Sequence, residues 1–130
     1  MNLETAKDYY IIGSREIIDA NELMAKDSYG VADMITRKKI NGYKSKLGNY
    51  YDWLREYDEA YSESLSINGT VNDLQMKQTK AAIAGQARSL FVASLRGYES
   101  EIRNVEASLN FRLTTSIAII AIVTSVIGFV

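Results

Sequence analysis

The sequence predicts an all-α protein: a helical hairpin or three-helix bundle with coiled-coil-like packing, whose last helix continues into a C-terminal transmembrane anchor. Apolar residues recur at alternating steps of three and four through two long stretches, the signature of a buried helical seam. The chain contains no proline and its eight glycines stand singly, so little interrupts a helix. Finally, residues 113–130 (LTTSIAIIAIVTSVIGFV) carry no charge and follow directly on Arg112.

The first helix is expected over about residues 3 to 27, with Leu3, Tyr10, Ile17 and Met24 on one face and Ala6, Gly13 and Ala20 beside them. Gly13 weakens it locally. Asp27-Ser28-Tyr29-Gly30 reads as a turn. The second helix is expected over about 31 to 66, with Ile40, Tyr43, Leu47, Tyr50, Leu54, Tyr57 and Tyr61 as its seam and with Gly42 and Gly48 off it. Tyrosine favours strands, but period-two alternation is missing, so the helical reading prevails. Ser66-Ile67-Asn68-Gly69-Thr70 reads as the second reversal, with Thr70 or Asn72 capping the next helix. Asn68-Gly69-Thr70 also matches the glycosylation acceptor pattern, which a cytosolic turn produces for conformational reasons alone.

The third helix is expected from Val71 to residue 112 and onward into the tail, with Phe91, Leu95, Tyr98, Ile102, Val105 and Leu109 as its seam. Such a rod of about 59 residues is roughly 88 Å long. Its apolar end alone reaches about 27 Å, against roughly 30 Å of bilayer hydrocarbon. Residues 117 to 123 are apolar on every face, and a small chain has too little other surface to cover them. All Lys and Arg precede this stretch, so the positive-inside bias places the N-terminal part, residues 1–112, on the cytoplasmic side as a single-pass, tail-anchored protein. The N-terminus lacks the basic start and apolar run of a secretory signal.

Charge patterning suggests a register for the helices. Residues 37–46 (RKKINGYKSK) are basic, whereas Asp52, Glu56, Asp58, Glu59 and Glu63 are acidic. An antiparallel fold about residues 67–70 would set Arg37, Lys38 and Lys39 beside Glu99 and Glu101, and Asp58 and Glu59 beside Lys77 and Lys80. Asp19 and Glu22 of the first helix would then lie near the basic stretch. In that register the basic run sits opposite residues 91 to 100. It is too far from Arg112 to feel a bilayer surface across a Debye length of roughly 8 Å, so intramolecular pairing is favoured over a patch for lipid head groups or RNA.

Composition narrows the function classes. Without histidine or cysteine the chain lacks the commonest general base, the commonest transition-metal ligand and the thiol nucleophile. Asp52, Glu56 and Glu63 share a rough helical face that could form a carboxylate-only site, but solvated helix surface explains the same spacing. No phosphate-binding glycine loop occurs, and the balance of 15 basic against 16 acidic residues argues against nucleic acid as a partner. No catalytic residue, metal ligand or cofactor is therefore expected.

Two small-residue stripes point to helix contacts. Ala81, Gly85, Ser89, Ala93 and Gly97 recur every four residues, and Thr114, Ala118, Ala121, Ser125 and Gly128 form a membrane helix packing face. Tyr51 and Trp53, off the seam, are candidate partner anchors. A heptad helix leading directly into a terminal anchor is similar in outline to SNARE-type and phage haemolysin-type tail-anchored proteins, neither of whose motifs is present. The expected function is a non-enzymatic, membrane-anchored scaffold or interaction subunit whose partners are lipid and a protein or a second copy of itself. A holin-like or toxin-like pore former and a virion or envelope structural protein are the alternatives.

Overall fold

A computed structural model of the chain describes residues 3–65 and 71–128. Among them the backbone is helical almost throughout and contains no strand. The elements in order are α1 (Leu3–Lys26), α2 (Val31–Thr36), α3 (Lys38–Ser64) and α4 (Val71–Gly128). The reversal expected at residues 66 to 70 and the side chain of Asn72 lie outside the described part.

The three-four periodicity marks most of the core positions, while Ser14 and Met34 are buried outside it. In α1, Leu3, Ala6, Tyr10, Gly13, Ile17, Ala20 and Met24 are all buried. In α4, Phe91, Leu95, Tyr98, Ile102, Val105 and Leu109 are buried, joined by Ala84 and Ala87. In α3, Ile40 and Tyr50 are buried, with Tyr43, Leu47, Leu54, Tyr57 and Tyr61 packed against the same core. Each of these larger side chains gains about 1.5–3 kcal/mol by leaving water. The rings also contact one another: Tyr57 meets Phe91 edge-on at 5.6 Å, and Tyr50 meets Tyr98 edge-on at 5.3 Å.

Cross-helix contacts fix the directions. Glu4 pairs with Lys80 and the Tyr29 carbonyl accepts from Arg112, so α1 runs parallel to α4. Tyr10 bonds Asp58 whereas Asp27 bonds Tyr43, so α3 runs antiparallel to α1.

The second helix differs from expectation. It is two helices, broken at Arg37, a non-glycine residue with φ of 56° in the left-handed region. Arg37 ends α2 by donating its N–H to the Asp33 carbonyl at 3.0 Å, and its own carbonyl accepts the first bond of α3, from Asn41, at 2.9 Å. A left-handed conformation costs such a residue about 1–2 kcal/mol. The reason for it is rotational phase. At roughly 100° per residue, an unbroken helix would turn Met34 to the side opposite the Tyr43–Tyr61 seam. The break lets both Met34 and Ile40 reach the core, where they are 6% and 1% exposed. Gly42 and Gly48, by contrast, sit within a continuous α3.

The expected charge register is also wrong, by about three helical turns. Lys44 pairs with Glu106, the Tyr51 hydroxyl donates to Glu99 at 2.8 Å, and Arg88 pairs with Asp58 at 2.8 Å. Arg37 reaches Asn110 rather than Glu99 or Glu101, and Lys80 takes Glu4 rather than Asp58 or Glu59. Lys39 finds Asp27 at 3.3 Å and Asp33 at 4.0 Å, not Asp19 or Glu22. Aromatic packing decides this. The predicted register would place Tyr57 opposite Lys80, forfeiting ring burial worth more than exposed ion pairs of about 0–1 kcal/mol each.

Candidate membrane and docking surfaces

The apolar end of α4 is the outstanding surface. α4 carries an 18-residue window long and apolar enough to cross a membrane, and none of that window is buried. Ile117, Ile119, Ile120, Ile122, Val123, Val126 and Ile127 are each 51–69% exposed and spread around the axis except along the line taken by the small residues. The polar residues among them are satisfied locally. The Thr124 hydroxyl donates to the Ile120 carbonyl and that of Ser125 to the Ala121 carbonyl, both at 2.8 Å.

The two small-residue stripes behave differently because of their spacing. Steps of strictly four residues advance about 40° beyond a full turn, so a stripe so built winds around the helix. Ala81 and Gly85 accordingly lie near α3, where the Tyr61 hydroxyl donates to the Ala81 carbonyl and stands 3.7 Å from a Cβ placed on Gly85. Ser89 and Ala93 are exposed on the far side. Gly97 arrives beside Asn21 of α1. Thr114, Ala118, Ala121, Ser125 and Gly128, with alternating steps of four and three, stay on one line and are all exposed. That line lies on the side of α4 turned away from its core residues. Arg96 and Arg103 occupy the same side nearer the core and are also exposed.

Of the two aromatic anchors, Tyr51 is 44% exposed with its hydroxyl on Glu99. Trp53 is half-buried, its ring 5.1 Å from Tyr50 and 6.5 Å from Tyr57.

The candidate acidic face of Asp52, Glu56 and Glu63 lies on the exposed surface of α3. Asp52 bonds Arg55 at 3.1 Å, Glu56 and Glu63 are exposed, and no group of three acidic side chains among the described residues is placed to hold a metal ion. The polar centre that matters to the fold is one the sequence did not reveal. Arg88 donates Nε to Asp58 Oδ1 at 2.8 Å and Nη2 to Oδ2 at 3.0 Å, while the buried Tyr10 hydroxyl donates to Oδ1 at 2.5 Å. One carboxylate thereby ties α1, α3 and α4 together. Burial of Asp58 opposes its ionisation, but the bonds from Arg88 and Tyr10 prevail and hold its carboxyl below the ordinary value. Burial, reinforced by that carboxylate, pushes Tyr10 above its ordinary range, so it stays a neutral donor. Tyr10 reads locally as a core position and Asp58 as one of an acidic stretch, and only the interhelical register brings them together with Arg88.

A second polar cluster lies where the core adjoins the apolar stretch. Asp27 accepts from the Tyr43 hydroxyl at 2.7 Å and from Lys39 at 3.3 Å, which lowers its pKa. The Tyr98 hydroxyl donates to the Tyr43 carbonyl at 2.9 Å. Beyond it, Arg112 Nη1 donates to the Tyr29 carbonyl at 2.6 Å and Arg37 to the Asn110 side chain.

Comparison with protein-family models, curated proteins and solved structures finds no match to this chain.

Proposed function

We propose that the chain is a non-enzymatic, membrane-anchored interaction subunit. Residues 1–112 form a helical bundle on the cytoplasmic side, the apolar stretch of α4 crosses the bilayer, and the exposed Thr114–Gly128 face packs on a second copy or a larger membrane assembly. The observation that carries this reading is the uncovered apolar window of α4. Seven half-exposed or more exposed Ile and Val side chains stand to gain on the order of 10 kcal/mol together by leaving water. A lipid environment accepts them all, and the continuous helix pairs the backbone groups along the body of the segment internally.

The single-line geometry of the small residues supports close approach of another helix within the membrane. In a parallel pair of identical chains Arg96 and Arg103 would face their own copies, so the closest contact is confined to the tail.

Fractionation tests the anchor: the full chain should remain with membranes through an alkaline wash, and its release would refute the reading. Replacing Ala121 and Ser125 together by Leu should weaken self-association in detergent. An unchanged oligomer would show that the face does not mediate it. Expression that dissipates the membrane potential would favour the pore-forming reading instead.

A further inference from the structure

The observed register moves the beginning of the basic stretch, Arg37 and Lys38, to the place where the apolar segment begins. Arg37 bonds Asn110 and the Tyr29 carbonyl accepts from Arg112, so the segment 29–37, which contains α2, is tied at both ends to α4 within one turn of Leu113. Two to three residues of helix are about 3–5 Å, which lies within the roughly 5–8 Å head-group layer that borders the hydrocarbon.

This end of the molecule is amphipathic in a specific way. Val31 and Ile35, neighbours on one side of α2, are 66% and 71% exposed, and Phe111 of α4 is 72% exposed, while Met34 turns inward. The cations sort into two groups. Lys39 and Lys44 are neutralised by Asp27, Asp33 and Glu106. Arg37 and Arg112 bond neutral oxygens, and Lys38 is exposed, so these three keep their charge for something outside the chain.

We infer that α2 is a membrane foot: a preformed interfacial element that sets Val31, Ile35 and Phe111 into the head-group boundary while Arg37, Lys38 and Arg112 bind the phosphates of anionic phospholipid. A six-residue helix alone buries too little area to hold a membrane, but α2 is fixed by Met34 in the core and by its two ties to α4, so docking costs little further ordering. Each cation near an anionic surface adds about 1 kcal/mol, or roughly fivefold in lipid preference. The foot would fix the tilt and rotation of α4, and hence which face of the tail is offered to a partner.

This inference rests on α4 entering the bilayer, and the test separates the two. The chain has no cysteine, so single-cysteine variants of the full chain can each carry one fluorophore: Ile35→Cys at the foot, Ile122→Cys in the tail, and Ile12→Cys on the outer face of α1. The labelled proteins are reconstituted into phosphatidylcholine vesicles with or without phosphatidylglycerol, and quenching by lipids spin-labelled at the head group or deep in the chain is measured. Head-group quenchers should act on position 35 at least about threefold more than on position 12, and more by labelled phosphatidylglycerol than by labelled phosphatidylcholine. Arg37→Gln with Lys38→Gln should remove about fivefold of that lipid preference per charge. Position 122 quenched by deep labels with position 35 no more quenched than position 12 would overturn the foot and leave the anchor standing. Position 122 unquenched would overturn both. Equal quenching by the two lipids, unaltered in the Gln variant, would overturn the phosphate contacts.

Discussion

Gly13→Ala tests whether the helices approach as closely as the structure has them. A Cβ at residue 13 would stand 2.6 Å from Phe91 Cε2, 3.1 Å from Phe91 Cδ2 and 3.3 Å from Tyr57 Cε2. The first distance is impossible without movement. The Phe91 ring is fully buried and bounded by Tyr10 at 6.1 Å and Tyr57 at 5.6 Å, so it cannot swing away freely. Gly→Ala inside a helix is otherwise favourable by about 1 kcal/mol, and forcing a carbon into a filled core costs about 1–3 kcal/mol. Gly42 and Gly48 provide the internal reference, because a Cβ at either meets nothing within 4 Å. There the same substitution should stabilise by about 1 kcal/mol. The expected gap between Gly13→Ala and Gly42→Ala is therefore about 2 kcal/mol, or roughly 10 °C in midpoint for a folded region of about 100 residues. Thermal unfolding followed by far-UV circular dichroism in one detergent measures it. Phe91→Leu in the Gly13→Ala background should recover part of the loss, with a coupling of about 1 kcal/mol. Equal midpoints for Gly13→Ala and Gly42→Ala would refute the close approach of α1 to Phe91 and the register built on it.

The Asp58 centre predicts an acid-sensitive fold. In the unfolded chain this carboxyl takes up a proton near the usual value of about 3.9, whereas in the fold it stays ionised to lower pH. The unfolded state thus binds more protons across that window, and the stability that Asp58 contributes above it is lost as pH falls; Asp58→Asn should lower the midpoint at neutral pH, by about 1–2 kcal/mol for this partly exposed pair, and flatten the acid decline. Lys44→Glu and Glu106→Lys should each destabilise slightly and restore one another when combined, by about 0.5 kcal/mol, whereas reversals at Arg37 and Glu99 should simply add; the opposite pattern in a double-mutant cycle would reinstate the charge-derived register. Arg37→Gly relieves the left-handed backbone that Arg37→Ala retains, so the glycine variant should be the more stable by about 1 kcal/mol in chemical denaturation; equality would mean the break at residue 37 is absent.

The residues alone determined the helical class, the buried positions of the three longest helices and the uncovered apolar stretch, because all three depend on periodicity and transfer from water, which are local properties of a sequence. The break at Arg37 was hidden because no glycine or proline marks it. Its cause is the need to bring Met34 and Ile40 to one core despite a spacing that sets them on different sides, a requirement that exists only once the helices have packed. The register escapes the sequence for the same reason. Surface charges at Arg37, Glu99 and Lys80 were legible and complementary, but they are worth less than the burial of Tyr50, Tyr57, Phe91 and Tyr98, whose mutual fit no single helix reveals. Tertiary structure alone joined Tyr10, Asp58 and Arg88, and it alone carried Arg37 to Asn110 beside the apolar segment, since the position of one helix along another is a sum over many weak contacts rather than a property of any one stretch of chain.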